Sequence, residues 1–154
     1  MLRIVFMKAL LQRVSSAKVE VNGRVSGEIG KGLLVFLCAV KGDTDKDLDH
    51  IVKKVSQIRV FGDEKGKMNL SVLDSAGEVL VVSQFTLAAS TSKGNRPSFD
   101  EAEEPGRAKA AYEQFITRLK ELGLPVRTGS FGAAMAVSLT NDGPVTVLVD
   151  SREP

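Results

Sequence analysis

The chain has 154 residues, of which 43% are hydrophobic and 26% are charged, and these proportions exclude a disordered chain. One histidine and one cysteine exclude a disulfide framework and a zinc site of Cys and His ligands within the chain. Aromatic residues make up only 5%, which argues against a base-stacking platform, because such a platform needs several exposed rings. The net charge of +2 permits contact with a phosphate backbone but does not by itself indicate one.

The start of the chain bears on its cellular address. Residues 1–6 are mostly apolar, but Lys8 and Arg13 break the run that a signal peptide requires. We therefore expect an N-terminal extension over residues 1–6, with Met7 as the alternative start, followed by one domain over residues 7–154. Since no stretch approaches the ~20 apolar residues of a membrane span, we expect a cytoplasmic protein with no membrane contact.

The first third of the chain is typical of β-structure. Asn22-Gly23 is the favoured pair of a two-residue hairpin turn. The continuous apolar run that contains Cys38 is typical of a strand covered on both faces, which predicts an inert buried thiol rather than a nucleophile. The predicted strands cover residues 9–14, 17–21, 24–29 and 32–40.

Apolar residues at helical spacing predict a first helix, with Asp43 and Thr44 as candidate caps. These apolar residues are Leu48, Ile51, Val52, Val55 and Ile58. At ~100° per residue, His50 points roughly 140° away from the middle of that stripe, so we expect it in solvent. A Ser-His-Asp or Cys-His mechanism therefore lacks its base.

The middle of the chain predicts a strand pair and a second helix. A turn over residues 74–77 predicts that residues 68–73 pair with residues 78–87. The second helix begins near Pro105, a favoured first helical residue, and ends before Gly123. Its predicted inner face consists of Ala108, Ala111, Tyr112, Phe115, Ile116, Leu119 and Leu122.

Residues 83–86, Ser-Gln-Phe-Thr, carry three polar side chains in four at the end of a predicted strand. Alternation in a strand puts Ser83 and Phe85 on one face, and Gln84 and Thr86 on the other. This pattern fits either an ordinary half-exposed strand or a strand that lines a pocket. The residues alone favour the ordinary strand.

Residues 126–150 predict further strands, broken at residues 141–146, Asn-Asp-Gly-Pro-Val-Thr. The residues alone favour a plain turn there. The sharper interpretation is a Gly143-Pro144 unit, in trans or in cis, that aims backbone groups in a fixed direction. Together the elements predict a mixed α/β fold of one domain, mostly antiparallel β-sheet with two helices.

Several short motifs occur along the chain in the order of one known family. They are Gln12-Arg13-Val14, Gly30-Lys31-Gly32, Gly66-Lys67-Met68-Asn69, Ser83-Gln84-Phe85-Thr86, Lys93-Gly94-Asn95-Arg96-Pro97-Ser98-Phe99, Phe131-Gly132-Ala133-Ala134-Met135 and Asn141-Asp142-Gly143-Pro144-Val145-Thr146. On these motifs the chain resembles the D-aminoacyl-tRNA deacylases (D-tyrosyl-tRNA deacylases) from about Met7 to Asp150.

The resemblance implies a barrel-like sheet and a homodimer that hydrolyses the ester between a D-amino acid and the terminal ribose of tRNA, without a metal or cofactor. Glycyl-tRNA is an expected second substrate, and L-aminoacyl-tRNA is expected to be rejected. The catalytic segment falls on Ser83, Gln84, Phe85 and Thr86. A Gly-cisPro unit that reaches into the partner's pocket falls on Gly143 and Pro144. Further candidates for the pocket are Phe131, Met135, Asn141, Val145 and Thr146.

Two mechanisms are open for this chemistry. In the favoured one, backbone N–H groups of Phe85 and Thr86 form an oxyanion hole, and the 2′-hydroxyl of the substrate's terminal ribose positions the water. In the alternative, Thr86 is a nucleophile, although it lacks a partner to take its proton. A rigid Gly-Pro carbonyl would leave no room for an L side chain.

The cations and the rival functions complete the expectations. Scattered positive side chains would contact tRNA phosphates with little sequence readout, with Lys93 and Arg96 as the main candidates and Arg107 and Lys109 as others. One rival is a non-catalytic tRNA- or protein-binding module with the same fold, which the intact Ser-Gln-Phe-Thr and Gly-Pro segments disfavour. The other is an esterase for small D-amino esters, which the basic charge disfavours.

Overall fold

A computed structural model describes residues 6–152 of the chain, so most of the expected extension, residues 1–5, lies outside the described residues. The described part contains two α-helices and a main sheet of six strands, with a separate two-stranded sheet. The elements are β1 Lys8–Val21, β2 Arg24–Ile29, β3 Gly32–Cys38, α1 Asp45–Gln57, β4 Phe61–Gly62, β5 Met68–Leu70, β6 Glu78–Ser83, α2 Pro105–Glu121, β7 Val126–Thr128 and β8 Ala136–Asp150. Neither helix is long and apolar enough to cross a membrane.

Strand β1 is one continuous element of 14 residues, not the two strands predicted for residues 9–14 and 17–21. It is antiparallel to all its partners: β3 along its first half and β2 along its second half on one edge, and β8 on the other. The ladder with β8 runs past the exposed Ser15 and Ser16, where Ser16 pairs with Thr140. Pairing on that edge therefore holds the strand together through its polar middle.

The sheet contains two parallel pairings that the sequence did not predict. Strand β6 lies between β3 and β7 and is parallel to both, and the two helices lie in the long connections that parallel pairs require. The predicted pairing of residues 68–73 with 78–87 is wrong, because β5 pairs with the short strand β4 instead. The predicted class, mixed α/β with mostly antiparallel strands, is confirmed.

The sheet curls until its edges nearly meet. The Ser26 hydroxyl on β2 donates a hydrogen bond to the Thr128 carbonyl on β7, with 3.1 Å between the oxygens. A Cβ added to Gly27 would lie 2.5 Å from that same carbonyl oxygen, so only glycine allows this approach. The resulting barrel-like shape agrees with the prediction.

Both helices begin where the sequence predicted. Thr44 is the N-cap of α1, where it exchanges hydrogen bonds with Asp47 in a capping box, and Pro105 is the first residue of α2. Leu122, predicted on the inner face of α2, is 47% exposed because the helix ends at Glu121. The buried side chains of α2 are Tyr112, Phe115 and Leu119.

The core has two main parts, one on each face of the sheet. Leu33, Val35 and Leu37 of β3 pack against the helices, while Leu34 belongs to the smaller cluster on the opposite face, inside the curled sheet. This burial on both faces explains the continuous apolar sequence of β3. It also fixes the end of β6 beside β3, where the candidate site lies.

Candidate active site

The Ser-Gln-Phe-Thr segment begins where β6 ends, and it is not a strand. The Gln84 N–H still donates to the Leu37 carbonyl at 2.8 Å, and the chain then turns into a 3₁₀ helix, Phe85–Ala88, called the 3₁₀ turn below. The predicted alternation of Ser83 and Phe85 against Gln84 and Thr86 is therefore wrong. The ladder with β3 ends at Ser83, and the next residues adopt helical geometry instead.

The 3₁₀ turn is anchored from below by a small core. Ala88 is buried against Cys38 and Val40, and the Cys38 sulfur lies 3.6 Å from the Phe85 carbonyl oxygen. Burial raises the pKa of the Cys38 thiol to about 11, which agrees with the prediction of an inert thiol. The N–H groups of Phe85 and Thr86 begin the turn, and the first N–H groups of a helix have no acceptor within it.

A cavity of about 480 Å³ opens beside this turn. Five of the predicted site residues line it, namely Ser83, Gln84, Phe85, Phe131 and Met135, and Thr86 is not among the lining residues. The other lining residues are Leu37, Ala39, Val82, Glu103, Pro105, Ala108, Tyr112, Gly132, Ala133 and Val137. Most of these side chains are apolar, so a ligand here would be largely removed from water.

One wall of the cavity is the start of α2, and the facing wall is the loop that contains Phe131. The rings of Tyr112 and Phe131 are 5.7 Å apart between centroids, and the Tyr112 hydroxyl donates to the Val81 carbonyl at 3.3 Å. The sequence predicted Tyr112 only as a core residue of the helix and Glu103 only as an acidic residue before it, and assigned neither to the site. The tyrosine hydroxyl, which needs a partner when buried, was the signal available.

A short loop stands next to the 3₁₀ turn. Residues 90–98, called the basic loop, are closed by two hydrogen bonds of 2.8 Å between the backbones of Ser90 and Ser98. Lys93 and Arg96 are exposed on it. Phe99, directly after the loop, contacts Phe85 edge to face, with ring centroids 5.2 Å apart. An aromatic contact therefore joins the end of the loop that carries the predicted cations to the Ser-Gln-Phe-Thr segment.

The Asn-Asp-Gly-Pro segment forms a bulge within β8. Thr146 pairs with Gln12 and Asn141 pairs with Val14, so four residues of β8 stand opposite one residue of β1. We call residues 141–146 the Gly-Pro bulge. Its Gly143-Pro144 peptide bond is cis, and both residues are exposed.

Side chains hold the Gly-Pro bulge from two directions. The Asn141 side-chain amide donates to the carbonyls of Arg13, at 2.8 Å, and of Val145, at 3.1 Å. The Arg13 guanidinium donates to the Asp142 carbonyl at 3.0 Å and to the Val60 carbonyl at 2.6 Å. A Cβ on Gly143 would lie 2.5 Å from the Asn141 side-chain oxygen, so within the chain the glycine accommodates that side chain.

None of the residues of the Gly-Pro bulge lines the cavity. The bulge stands beside Arg13, which pairs with Leu33 of β3, whereas Ser83 pairs with Leu37, four residues further along β3. Along β3 these two positions are roughly 13 Å apart. The structure therefore does not bring the two predicted halves of the site together within one chain.

The remaining reactive residues lie elsewhere. His50 is half-buried on α1 and does not line the cavity. Among residues 6–152 there is no group of three or more His, Cys, Asp and Glu side chains that could hold a metal ion.

Comparisons with known proteins identify the family of the chain. A family model described as D-Tyr-tRNA(Tyr) deacylase matches residues 10–150, which include both the cavity and the Gly-Pro bulge. The D-aminoacyl-tRNA deacylase of Persephonella marina is 58% identical over 146 residues, which cover 95% of this chain and 99% of that protein. The chain belongs to this family.

Further family members and solved structures extend the likeness. The D-aminoacyl-tRNA deacylase of Aquifex aeolicus is 56% identical, over 96% of this chain and 99% of that protein. The solved structure of a c-Myc DNA unwinding element binding protein has a TM-score of 0.88 and 42% identity, over 93% of this chain and 97% of its own. A probable eukaryotic D-amino acid tRNA deacylase, at 18% identity and a TM-score of 0.80, covers 95% of this chain and all of its own, and it shares the fold.

Proposed function

We propose that this deacylase-family protein hydrolyses the ester bond between a D-amino acid and the terminal ribose of tRNA, and that it releases the free D-amino acid and tRNA. The observation that carries the proposal is the 3₁₀ turn Phe85–Ala88 at the cavity. Its first two N–H groups can donate to the oxygen of a carbonyl bound in front of them. Ester hydrolysis places negative charge on that oxygen, and each such donor is worth ~10²–10³ in rate.

The water needs orientation more than a strong base, because an aminoacyl ester is already activated. His50 lies away from the cavity, and the Cys38 thiol is held protonated by its raised pKa of about 11. In our proposal the 2′-hydroxyl of the terminal ribose, which is part of the substrate, positions the attacking water. In this scheme Gln84 shapes the pocket, and the Thr86 hydroxyl accepts a hydrogen bond from the Gln84 amide.

Selection of D over L substrates is the role we propose for the Gly-Pro bulge. The bulge is exposed and none of its residues lines the cavity of its own chain, which supports a role at the cavity of a second copy. We therefore propose a homodimer in which Gly143 and Pro144 of each subunit enter the partner's pocket. Their backbone, held by Asn141 and Arg13, would block the side on which an L side chain must point.

If the enzyme rejects L substrates by steric exclusion of their side chains, a second substrate is expected. Glycine has no side chain, so glycyl-tRNA should pass the same wall and be hydrolysed. Phosphate contacts from Lys93 and Arg96 would position the tRNA without reading its sequence. We propose one catalytic domain over residues 7–154 and a cytoplasmic location, where tRNA is charged.

The decisive experiment offers D- and L-aminoacyl-tRNA of one amino acid side by side, together with glycyl-tRNA, and measures ester loss. We expect loss of the D-aminoacyl and glycyl esters and survival of the L ester. Tight tRNA binding with no ester loss would instead support a non-catalytic nucleic-acid-binding module. One structural neighbour is named as a DNA unwinding element binding protein. Equal hydrolysis of a small D-amino ester and of the tRNA ester would support the small-ester esterase.

A further inference from the structure

Two aromatic side chains stand exposed beside the candidate active site. Phe85 is 54% exposed and Phe99 is 36% exposed. Every other aromatic side chain among residues 6–152 is buried or half-buried. Their rings meet at 73°, in an edge-to-face contact. In such a contact the ring that presents its edge keeps both of its own faces free of its partner. The pair therefore offers an aromatic face to solvent.

The fold holds both rings in place without burying them. Phe85 is the first residue of the 3₁₀ turn, which is anchored through Ala88 in the core. Phe99 follows the backbone pairing of Ser90 with Ser98, and its carbonyl accepts a hydrogen bond of 3.0 Å from the Ala102 N–H. Two exposed apolar rings that lie together and are held in place by the surrounding backbone indicate a binding surface.

Positive charge lies on the same piece of chain. The basic loop joins the two ends of the pair, because it follows the 3₁₀ turn and ends directly before Phe99. Lys93 and Arg96 are exposed on it. Exposed rings beside cations are the combination with which proteins bind single-stranded nucleic acid: bases stack on the rings and the cations contact the backbone.

We propose that Phe85 and Phe99 form a stacking surface for the unpaired nucleotides that precede the terminal nucleotide of the tRNA 3′ end. This inference rests on the proposed function, because the ester must lie at the 3₁₀ turn and the polynucleotide attached to it must leave past the same residues. Stacking reads no sequence, which suits an enzyme that accepts many tRNAs. The low aromatic content argued against such a platform, but two rings placed together are sufficient for one.

The test compares two substrates of Phe99 variants, a D-aminoacyl-tRNA and the D-aminoacyl ester of adenosine, which has the terminal nucleoside alone. We expect Phe99→Leu to raise KM for the tRNA by about tenfold, within the range for one stacked base. KM and kcat for the adenosine ester should not change, and Phe99→Tyr should restore the tRNA KM. Leu122→Ala, which truncates a side chain that is 47% exposed at the far end of α2, is the matched control.

A second arm removes the bases instead of the ring. The substrate for this arm is a tRNA in which the two nucleotides before the terminal one lack their bases. With it, the wild-type protein should show the same raised KM, and Phe99→Leu should cause no further increase in KM. Equal losses on both substrates would overturn the proposal, since Phe99 would then act by supporting the 3₁₀ turn. A shift of the Phe99→Leu variant to monomer in sedimentation would also overturn it, and would assign the rings to an interface between copies.

Failure of the underlying function has a different signature. If wild type cleaves neither ester, the proposed deacylation is wrong, and binding of uncharged tRNA then tests the surface by itself. A Kd that rises about tenfold in Phe99→Leu and not in Leu122→Ala supports the stacking surface in that case, and an unchanged Kd overturns it.

Discussion

The side-chain amide of Gln84 donates a hydrogen bond to the hydroxyl oxygen of Thr86. An amide cannot take up a proton, so the neighbour that Thr86 has in this structure does not activate it as a nucleophile. This relationship favours the mechanism in which Thr86 is not the nucleophile.

Thr86→Ala should therefore retain activity within about tenfold of wild type, because it removes a hydrogen-bond acceptor of Gln84 rather than an attacking oxygen. Replacement of the substrate's terminal 2′-hydroxyl by hydrogen should abolish turnover by the wild-type protein. Single-turnover ester hydrolysis measures both. An inactive Thr86→Ala variant with full activity on the deoxy substrate would restore the nucleophile mechanism.

The hydrogen bonds of Asn141 predict a loss of chiral selection. Asn141→Ala removes two bonds that hold the Gly-Pro bulge, each worth ~0.5–1.5 kcal/mol. We expect the ratio of D to L ester hydrolysis to fall by about tenfold while the protein stays folded. Ser138→Ala, an exposed change elsewhere on β8, is the control. An unchanged ratio would mean that the bulge does not form the chiral wall.

Gly129 predicts a local change in the cavity. A Cβ at this position would lie 2.7 Å from the Met135 sulfur, the flexible end of a side chain that lines the cavity. Gly129→Ala should displace that side chain and raise KM several-fold, and change the free energy of unfolding by less than about 1 kcal/mol. Gly30→Ala, whose Cβ meets only a Glu78 oxygen at 3.7 Å, should leave KM unchanged. A KM for Gly129→Ala equal to that of wild type contradicts the expectation.

Asp47 predicts how stability depends on pH. Burial raises the pKa of this carboxyl, but hydrogen bonds from Ser151, Thr44 and Arg152 outweigh burial and bring the pKa to about 2. Since the unfolded value is ~3.9, the ionised group stabilises the fold above about pH 4 by about 2 kcal/mol. That contribution is lost as the pH falls from about 4 to 2.

Urea unfolding at pH 7 and at pH 2.5 measures this effect. We expect Asp47→Asn to be destabilised at pH 7 and to lose less stability than wild type between the two values. Glu121→Gln, which changes an exposed carboxyl at the end of α2, should follow wild type. Parallel curves for Asp47→Asn and wild type would remove Asp47 from the acid response.

Salt dependence tests the basic loop. If Lys93 and Arg96 each neutralise one tRNA phosphate, log Kd should rise with log salt, and each substitution by alanine should lower the slope by ~0.7–0.9. Titration of uncharged tRNA between ~50 and 200 mM salt gives the slope. Lys120→Ala removes a cation in the last turn of α2, and this control variant should keep the wild-type slope. If no substitution in the basic loop alters the slope of log Kd against log salt, the tRNA phosphates do not contact this loop.

The local signals in the sequence predicted most of the fold. Strand β2 and the first residues of both helices are where the Asn-Gly turn, the candidate cap Thr44 and Pro105 indicated. The parallel position of β6 between β3 and β7 depends on contacts between distant residues, and no local pattern encodes them. The antiparallel hairpin that a turn suggests was therefore the wrong expectation for residues 68–87.

The sequence predicted some of the residues that line the cavity, but not the shape of the segment that carries them. Ser83 and Gln84 line the cavity as expected, yet the change from strand to 3₁₀ turn follows from the end of the ladder at Leu37, which periodicity does not report. The position of Tyr112 in the cavity wall was not predicted, because a helix residue that lines a cavity has the same sequence spacing as one that packs in the core. The Gly-Pro bulge was identifiable as a special segment, but its distance from the cavity needed the strand order.

The separation of the Gly-Pro bulge from the cavity of its own chain has a genetic consequence. In the proposed dimer each complete site takes its catalytic turn from one chain and its chiral wall from the other. A cell that carries one copy altered at Ser83 and a second copy altered at Gly143 would still assemble some mixed dimers with one intact site, so two defective alleles would complement each other. An altered Gly143 expressed beside the normal protein would do the reverse, because it would remove selectivity from sites whose catalytic turns are normal.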